Sequence, residues 1–403
     1  MAQQHLDPTD PMAKASPKLS AALEQGGAPI GDALAGYLRA QATEFLRALR
    51  LHRETGGDGG TPARTKARAG DNGSQESVDA ARALRRSARR ISASLHTFRP
   101  LLDTDWSEAI RPELAWLSGT LAMEHAYAAR LQRLLLALHR LSGAVAVPAQ
   151  PGVPGDSADG SAGSRTAGMT AGAQKAGAGD AGPPAHPAAT VERGNLTVGA
   201  AKAGALLDRQ LTLARTRAHS SALQALGSSR FHAVADNIAV LASEVPLTPA
   251  ATTADLRPLA GAAEERLTDA VAALPLVTAG NPYNAEALIH GLSPDPAPHP
   301  QDAPWHQVRL LLRLHRYARE VLHGDSAPVD VRLLAAGQAL NRHRDASEAA
   351  AAAAQAARTP RIAPATAYAL GVLHADQRHE VEAARFAFQQ SWQMQTVGTP
   401  QRS

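Results

Sequence analysis

Residues Ala81–Arg99 read ARALRRSARRISASLHTFR, a stretch in which apolar and basic side chains each recur at helical spacing. The apolar face consists of Leu84, Ala88, Ile91, Leu95 and Phe98. The opposite face carries five arginines, which are Arg82, Arg85, Arg86, Arg89 and Arg90. No Asp or Glu lies within the stretch, and arginines three or four positions apart on a helix repel each other. The pattern predicts an amphipathic helix whose basic face either lies in solvent or faces an anionic partner.

The composition of the chain favours an all-α fold. Its 403 residues suffice for one large domain or two smaller ones. Alanine dominates and aromatic residues make up only 3%, which predicts helices that approach closely through small side chains. The formal net charge is +4, and only five of the 41 basic residues are lysine. The planar fork of the abundant arginine suits bidentate contacts with phosphate oxygens.

Several classes of protein are disfavoured by what the sequence lacks. Without cysteine, the chain has neither disulfides nor thiolate metal sites. The first twenty residues do not show the charged start and apolar core of a signal peptide. No apolar run approaches the roughly 20 residues that span a bilayer. The sixteen histidines are scattered, so we expect no metal or other cofactor and no membrane partner, and we expect a cytoplasmic protein.

Helical periodicity and loop composition divide the chain into eight predicted helices, four on each side of about residue 250. These helices cover roughly residues 32–51, 76–102, 106–141, 198–242 with a break near Gly227, 256–274, 304–323, 328–357 and 363–394. A flexible loop is predicted over residues 54–74. Three further segments are predicted to lie outside the helical core: a disordered N-terminal segment 1–28, a disordered low-complexity insertion 143–190 and a Pro-rich surface loop 278–304.

A second basic helix is predicted at Trp305–Leu322, which reads WHQVRLLLRLHRYAREVL. One arc of its helical wheel carries His306, Arg309, Arg313, Arg316, Tyr317 and Glu320. At an offset of 224 residues, Arg82 aligns with His306, Arg85 with Arg309 and Arg89 with Arg313. The repeat suggests that a four-helix unit was duplicated. If the halves pack about a pseudo-two-fold axis, both basic faces look into one groove.

Both basic helices follow a known pattern. Residues Ala81–Ile91 follow V-H-x-x-R-V-x-x-R-R-L-R without gaps and keep Arg85, Arg89 and Arg90, and Phe98-Arg99 match the F-R that comes after it. The arc of the second helix matches H-x-x-R-K-x-x-K-R-L-R-Y-x-x-E more fully. With these motifs the chain resembles the CHAD family, the conserved histidine α-helical domain, from about Asp32 to Gln393 outside the loops. Shorter matches are Ser229-Arg230-Phe231, Leu340–Asp345 and the start of the last helix at Tyr368–Leu373.

Three of the departures from the family pattern change the charge of the predicted binding surface. Arg82 stands where the first motif has histidine, and Leu310 stands where the second has a lysine. The R-D-x-D segment of the first half aligns with His125, Ala126 and Ala128, which carry no carboxylate. A binding surface built on both halves is therefore expected to be asymmetric.

The resemblance implies two four-helix bundles, over residues 29–245 and 255–396, on either side of a basic groove. It also implies non-catalytic binding of inorganic polyphosphate and association with polyphosphate granules. The polyphosphate-binding residues that it implies lie on the two basic faces: Arg82, Arg85, Arg86, Arg89, Arg90, His306, Arg309, Arg313, Arg316 and Tyr317.

Two other functions remain open at this stage: non-specific nucleic-acid binding, which the basic pI near 9.6 allows, and a helical protein that only makes interactions. An enzyme is not indicated. The nearest approach to a triphosphatase E-x-E-x-K motif, Glu380-Val381-Glu382, has Ala384 in place of lysine, and no phosphate-binding Gly-rich loop occurs.

The spacing also bears on the roles of three histidines. His306 is either a cation that contacts phosphate or a neutral side chain within the bundle. His315 falls on the apolar side of its helix, where we expect a structural role. His343 and Arg344 precede Asp345, so an internal ion pair and a ligand contact are equally compatible with the sequence.

Overall fold

The computed structural model describes residues 30–56, 66–143, 187–281, 288, 292, 299–324 and 329–393. Over these residues the protein is all-α, as the composition predicted, and has no β-strand. The nine helices of this part of the chain are α1 (Ile30–Gly56), α2 (Lys66–Thr97), α3 (Thr104–Leu141), α4 (Pro187–Leu226), α5 (Ser229–Ser243), α6 (Arg257–Ala272), α7 (Ala303–His323), α8 (Val331–Ala357) and α9 (Pro364–Gln393).

The break predicted near Gly227 is confirmed, and it raises the number of helices from eight to nine. Helix α4 ends at Leu226, and the hydroxyl of Ser228 accepts a hydrogen bond from the Phe231 amide at 3.2 Å to begin α5. The start predicted for α2 was wrong, because the helix begins at Lys66 inside the predicted loop 54–74. Extending an existing helix costs far less than nucleating one, so unfavourable local composition does not stop it.

Two of the predicted disordered segments lie mainly outside the described residues. These are residues 1–28 and, within the insertion 143–190, residues 144–186. The last part of that insertion, from Pro187, belongs to α4. The structure describes only part of the Pro-rich loop 278–304. The prediction of a surface loop was wrong at Asp302, whose side chain is only 2% exposed.

Three hydrophobic cores hold the helices together. In the first, α1, α2 and α5 surround large side chains that include Phe45, Ile91 and Phe231. The second packs α6, α7 and α8 around Trp305, against Phe388 of α9. The apolar residues predicted for the Ala81–Arg99 stretch are all fully buried, which confirms the orientation of α2.

The third core joins the two halves of the chain. It packs the C-terminal end of α3 and the middle of α4 against α8 and α9 through small residues such as Ala353 and Ala369. At Gly199, a Cβ atom would lie 2.1 Å from the carbonyl oxygen of Ala365, so only glycine permits this approach of α4 to α9. The close helix contacts expected from the alanine content are present, and the pseudo-two-fold relation stays a prediction.

A buried ionic network anchors the start of α7 on α9. Asp302 accepts hydrogen bonds from Arg378 at 2.7 Å and from Arg385 at 2.8 Å, and Arg385 also donates to Glu382 at 2.7 Å. All four side chains are at most 5% exposed. His343 of α8, 1% exposed, lies 3.6 Å from Asp302. Because α7 carries the second basic face, this network positions half of the predicted site.

We expect His343 to make the protein less stable as the pH falls. Burial, together with the Arg385 guanidinium, lowers the pKa of His343 to about 3, although Asp302 opposes the shift. In the unfolded chain the imidazole takes up a proton below about pH 6.5. The unfolded state therefore binds more protons between these two pH values, and the free energy of unfolding decreases as the pH is lowered through them.

Urea unfolding at pH 7, 6, 5 and 4 measures this effect. In His343→Gln the decrease should be shallower, by up to about 1.4 kcal/mol per pH unit for one proton. His232→Gln is the matched control, because His232 is exposed and its loss should leave the pH dependence unchanged. Equal slopes for the wild-type protein and His343→Gln would contradict the prediction.

Candidate anion-binding cleft

The two predicted basic helices, α2 and α7, pack against each other, and α8 packs against α7. A cleft of about 150 Å³ opens where the three helices meet. Its polar lining comes from side chains of all three helices: Arg89, Arg309, Arg313, Arg316, Tyr317 and Asn341. The cleft therefore brings together residues from both basic stretches, although they are more than 200 positions apart in the chain.

Helix α8 forms one wall of the cleft through a face that the sequence analysis did not select as a site. Gly337, Asn341 and Arg344 are spaced at i, i+4 and i+7 on this helix. A Cβ atom at Gly337 would meet only Leu312, at 3.7 Å, so the missing side chain leaves this wall open. The helical spacing was visible in the sequence, but nothing there showed that this face lies opposite the arginines.

Three arginines of the cleft lining, and Arg85 one turn before Arg89 on α2, have no acidic partner. Among the described residues, no carboxylate lies within 4.0 Å of Arg85, Arg89, Arg309 or Arg313. Arg309 Nε donates to the side-chain oxygen of Asn341 at 2.8 Å, and Arg89 Nε donates weakly to the Arg85 carbonyl at 3.3 Å. Arg85 Nε is buried without any hydrogen-bond partner. These four residues, with Arg344, are termed the arginine cluster below.

Electrostatic repulsion within the arginine cluster is visible in its pKa values. Burial lowers the pKa of Arg85 to about 10, and the Arg89, Arg344 and Arg313 guanidinium groups add to the shift. Burial likewise lowers the pKa of Arg309 to about 10, with Arg344 and Arg313 as the next causes. Both groups still carry a full charge at neutral pH. An oxyanion in the cleft would relieve this repulsion and supply the missing hydrogen-bond acceptors.

The family model of the CHAD domain matches residues 61–354, a range that contains α2, α7 and nearly all of α8. The chain belongs to the CHAD family. This family is associated with the binding of inorganic polyphosphate.

A solved structure supports the same assignment. PptA from Streptomyces chartreusis is 68% identical to this chain, with a TM-score of 0.67, and the match covers 91% of this chain and all of PptA. No curated protein matches the chain. Among the described residues, no helix combines the length and apolarity needed to cross a membrane.

Arg90 and Arg316 of the two CHAD motifs share the carboxylate of Glu320. The first stretch contains no acid, so its sequence did not indicate this pairing. Arg90 Nε donates to Glu320 of α7 at 2.7 Å, and Arg316 lies 3.9 Å from the same side chain. The Tyr37 hydroxyl also donates to Glu320, at 3.0 Å. Burial and the Glu320 charge raise the pKa of Tyr37. This cluster ties α1, α2 and α7 together at the edge of the cleft.

Two other arginines of the first CHAD motif lie outside the cleft. Arg82 and Arg86 are exposed and do not line it. Arg82 forms an ion pair at 2.8 Å with Asp79, an acid that lies one turn before Arg82 and just outside the stretch that begins at Ala81. Its charge is therefore partly neutralised, and the replacement of the family histidine by Arg82 does not change the polar lining of the cleft.

The structure favours the neutral form of His306. Its ring is half-buried and lies edge-on to the His343 ring, with 5.5 Å between centroids. Burial lowers the pKa of His306, and the Arg309 and Arg344 charges act in the same direction, although Asp302 opposes them. His306 does not line the cleft. His315, on the apolar side of α7, is 5% exposed and does not line the cleft either.

Arg344 makes the internal ion pair that the sequence left open and also faces the arginine cluster. Its guanidinium donates to Asp345 and lies 3.8 Å from Glu348. The same guanidinium lowers the pKa values of Arg85, Arg309 and Arg313. Arg344 is thus a cationic residue of the site that was not among the residues predicted to bind polyphosphate.

Proposed function

We propose that this CHAD protein binds inorganic polyphosphate non-catalytically in the cleft between α2, α7 and α8. The observation that carries the proposal is the set of unpaired arginines, Arg85, Arg89, Arg309 and Arg313, gathered from both CHAD motifs. Arg316 and Tyr317 complete the contact surface. Association with polyphosphate granules follows from the same affinity, because a granule presents many chains at once.

The chemistry of the cleft fits a linear polyanion. Polyphosphate carries about one negative charge per phosphate, and contact with arginines releases its condensed counterions, as for nucleic acids. Each guanidinium fork can bridge the oxygens of neighbouring phosphates. If the five arginines named in the proposal each neutralise one phosphate, a plot of log K against the logarithm of the salt concentration should have a slope of about −3 to −4.

The lining of the cleft supports binding without catalysis. Its polar groups within the described residues are guanidinium, phenol and amide side chains. Hydrolysis of a phosphoanhydride is ordinarily assisted by a general base or by a metal that positions water. The lining supplies neither an imidazole nor a carboxylate for these roles.

Nucleic-acid binding fits the cleft less well. Proteins that bind single strands without sequence preference stack bases on exposed aromatic side chains. Tyr317, the aromatic residue of the lining, is 8% exposed and has the Arg90 guanidinium 5.4 Å above its ring. This ring is therefore already covered, and the cleft offers charge without a stacking platform.

Competition at fixed salt tests the proposal. We expect unlabelled long-chain polyphosphate to displace labelled polyphosphate at a concentration, counted in phosphates, at least about tenfold below that required of DNA or RNA. The reason is that the cleft matches closely spaced phosphates and has no exposed ring for bases. Fluorescence anisotropy at 150 mM salt gives the comparison.

Two results of that experiment would contradict the proposal. Displacement by DNA or RNA at the same phosphate concentration would favour non-specific nucleic-acid binding. The absence of polyphosphate binding would favour a helical protein that only makes interactions.

A further inference from the structure

A second polar cavity is lined by a different set of α7 residues from those of the cleft. It has a volume of about 330 Å³ and is bounded by α6, α7 and the start of α8. On the helical wheel of α7, His315 and Arg319 of this cavity lie about 120° around the helix from Arg309 and Arg313 of the cleft, and the two sites share no lining residue. The cavity is therefore separate from the site proposed for polyphosphate.

Two polar atoms at this cavity are buried without a partner. His315 is 5% exposed, and its Nδ1 atom makes no hydrogen bond. Arg332 Nε is also buried and unpaired. Leaving a buried polar atom without a partner costs about 1–3 kcal/mol, so two such atoms on the wall of one cavity point to a missing binding partner.

The charges around the cavity leave an excess of cationic groups. Arg319 is paired with Asp330 at 3.0 Å, and Asp330 also accepts from the Leu333 amide at the start of α8. The structure shows no carboxylate within 4.0 Å of Arg257 or Arg332 among its described residues. Arg332 instead lies over the Trp392 ring, 4.5 Å from its centroid. The Arg319–Asp330 pair cancels, and the remaining charged groups of the lining are these two guanidinium groups and one carboxylate, Glu264. The net charge of the cavity is therefore positive.

We propose that this cavity binds a small phosphate anion, held by Arg257, Arg332 and His315. Two guanidinium groups and the Nδ1–H tautomer of the imidazole, on different helices, present donors in several directions. The tetrahedral oxygens of phosphate supply acceptors for them, whereas a planar carboxylate has only two oxygens in one plane. The volume accommodates one or two phosphate groups, which are available either as free orthophosphate or as the end of a short polyphosphate.

Calorimetric titration of the full chain tests this site. The cleft is first weakened by Arg309→Gln and Arg313→Gln, and orthophosphate and tripolyphosphate are then titrated separately. We expect one remaining phosphate site per chain in this background. Adding Arg257→Gln and Arg332→Gln should weaken its affinity at least tenfold, and Arg257→Gln alone, which changes an exposed side chain, at least threefold.

Arg266→Gln is the matched control, because Arg266 is an exposed arginine of α6 that does not line the cavity. It should leave phosphate binding unchanged. Tighter binding of tripolyphosphate than of orthophosphate would identify a chain end as the ligand, and equal binding would identify free phosphate; both support the proposal. Absence of the remaining site, its persistence after the Arg257 and Arg332 changes, or equally tight binding of acetate would overturn it.

The outcome is independent of the proposed function. Arg257→Gln with Arg332→Gln, made with the cleft intact, should retain the affinity for long-chain polyphosphate within about twofold. If long-chain polyphosphate fails to bind the wild-type protein while orthophosphate binding still depends on Arg257 and Arg332, the cleft proposal fails and this one stands.

Discussion

Replacing both Arg309 and Arg313 by glutamate is expected to lower the affinity for long-chain polyphosphate by at least about 100-fold. A hydrogen bond to a charged group contributes about 1.5–3 kcal/mol, so losing two of them accounts for this factor. The new carboxylates also repel phosphate directly. Both arginines line the cleft from α7. Among the described residues, neither forms an ion pair with a carboxylate, so both charges are available to phosphate.

The same double substitution should leave the fold intact. Arg309 and Arg313 repel Arg344 and the arginines of α2, and this repulsion contributes to their lowered pKa values. Glutamates at these positions would face Arg85, Arg89 and Arg344 and form attractive pairs instead. We therefore expect unchanged helical circular dichroism and a melting temperature equal to or a few degrees above that of the wild-type protein.

A control of equal charge change is available on α4. Arg209 and Arg217 are exposed and do not line the cleft, and Arg209→Glu with Arg217→Glu alters the net charge by the same amount. Anisotropy titration with labelled polyphosphate should show less than about a threefold loss for this control. Similar losses in both double variants would mean that overall charge, rather than the cleft, determines binding.

Replacing Asp302 by asparagine is expected to lower the free energy of unfolding by about 3–5 kcal/mol. Asp302, Arg378 and Arg385 are each at most 5% exposed, and the carboxylate of Asp302 forms ion pairs with both arginines. Breaking a buried ion pair from one side leaves an uncompensated charge in the interior, which costs far more than the pair contributed. Equilibrium urea unfolding at pH 7 measures the loss, which is a large part of the stability of a typical domain.

Asp79→Asn is the matched control for this prediction. It removes the carboxylate partner of Arg82, but both side chains are about half exposed, at 57% and 44%. A pair of this kind contributes about 0–1 kcal/mol. If Asp302→Asn cost no more than Asp79→Asn, the buried network would not be what holds α7 on α9.

The sequence predicted much of the fold because helix formation and burial are encoded locally. The spacing of Leu84, Ile91 and Phe98 identified the buried face of α2 without any knowledge of its neighbours. The start of α2 was missed by ten residues, because the glycines before Glu76 indicate a loop when only local composition is considered. Helical extension from the packed part of α2 overrides that local preference.

The candidate site was predicted less completely, and the errors have one cause. Arg90 was grouped with the free arginines, but its partner Glu320 lies 230 positions away in the chain. Gly337 and Asn341 were not selected, because their importance depends on α8 lying beside α7. Pairing of charges and the opening of a cleft are properties of helices brought together, and neither is visible in the spacing along one helix.

The sequence by itself determined that the chain is helical, which faces of α2 and α7 are basic, and that it carries the motifs of the CHAD family. These properties depend on residues within a few turns of one another, where spacing along the chain is also spacing on the helix surface. Only the tertiary structure decided which arginines remain unpaired. That choice depends on which carboxylates the folded chain brings within 4 Å: Glu320 reaches Arg90, and no described carboxylate reaches Arg309.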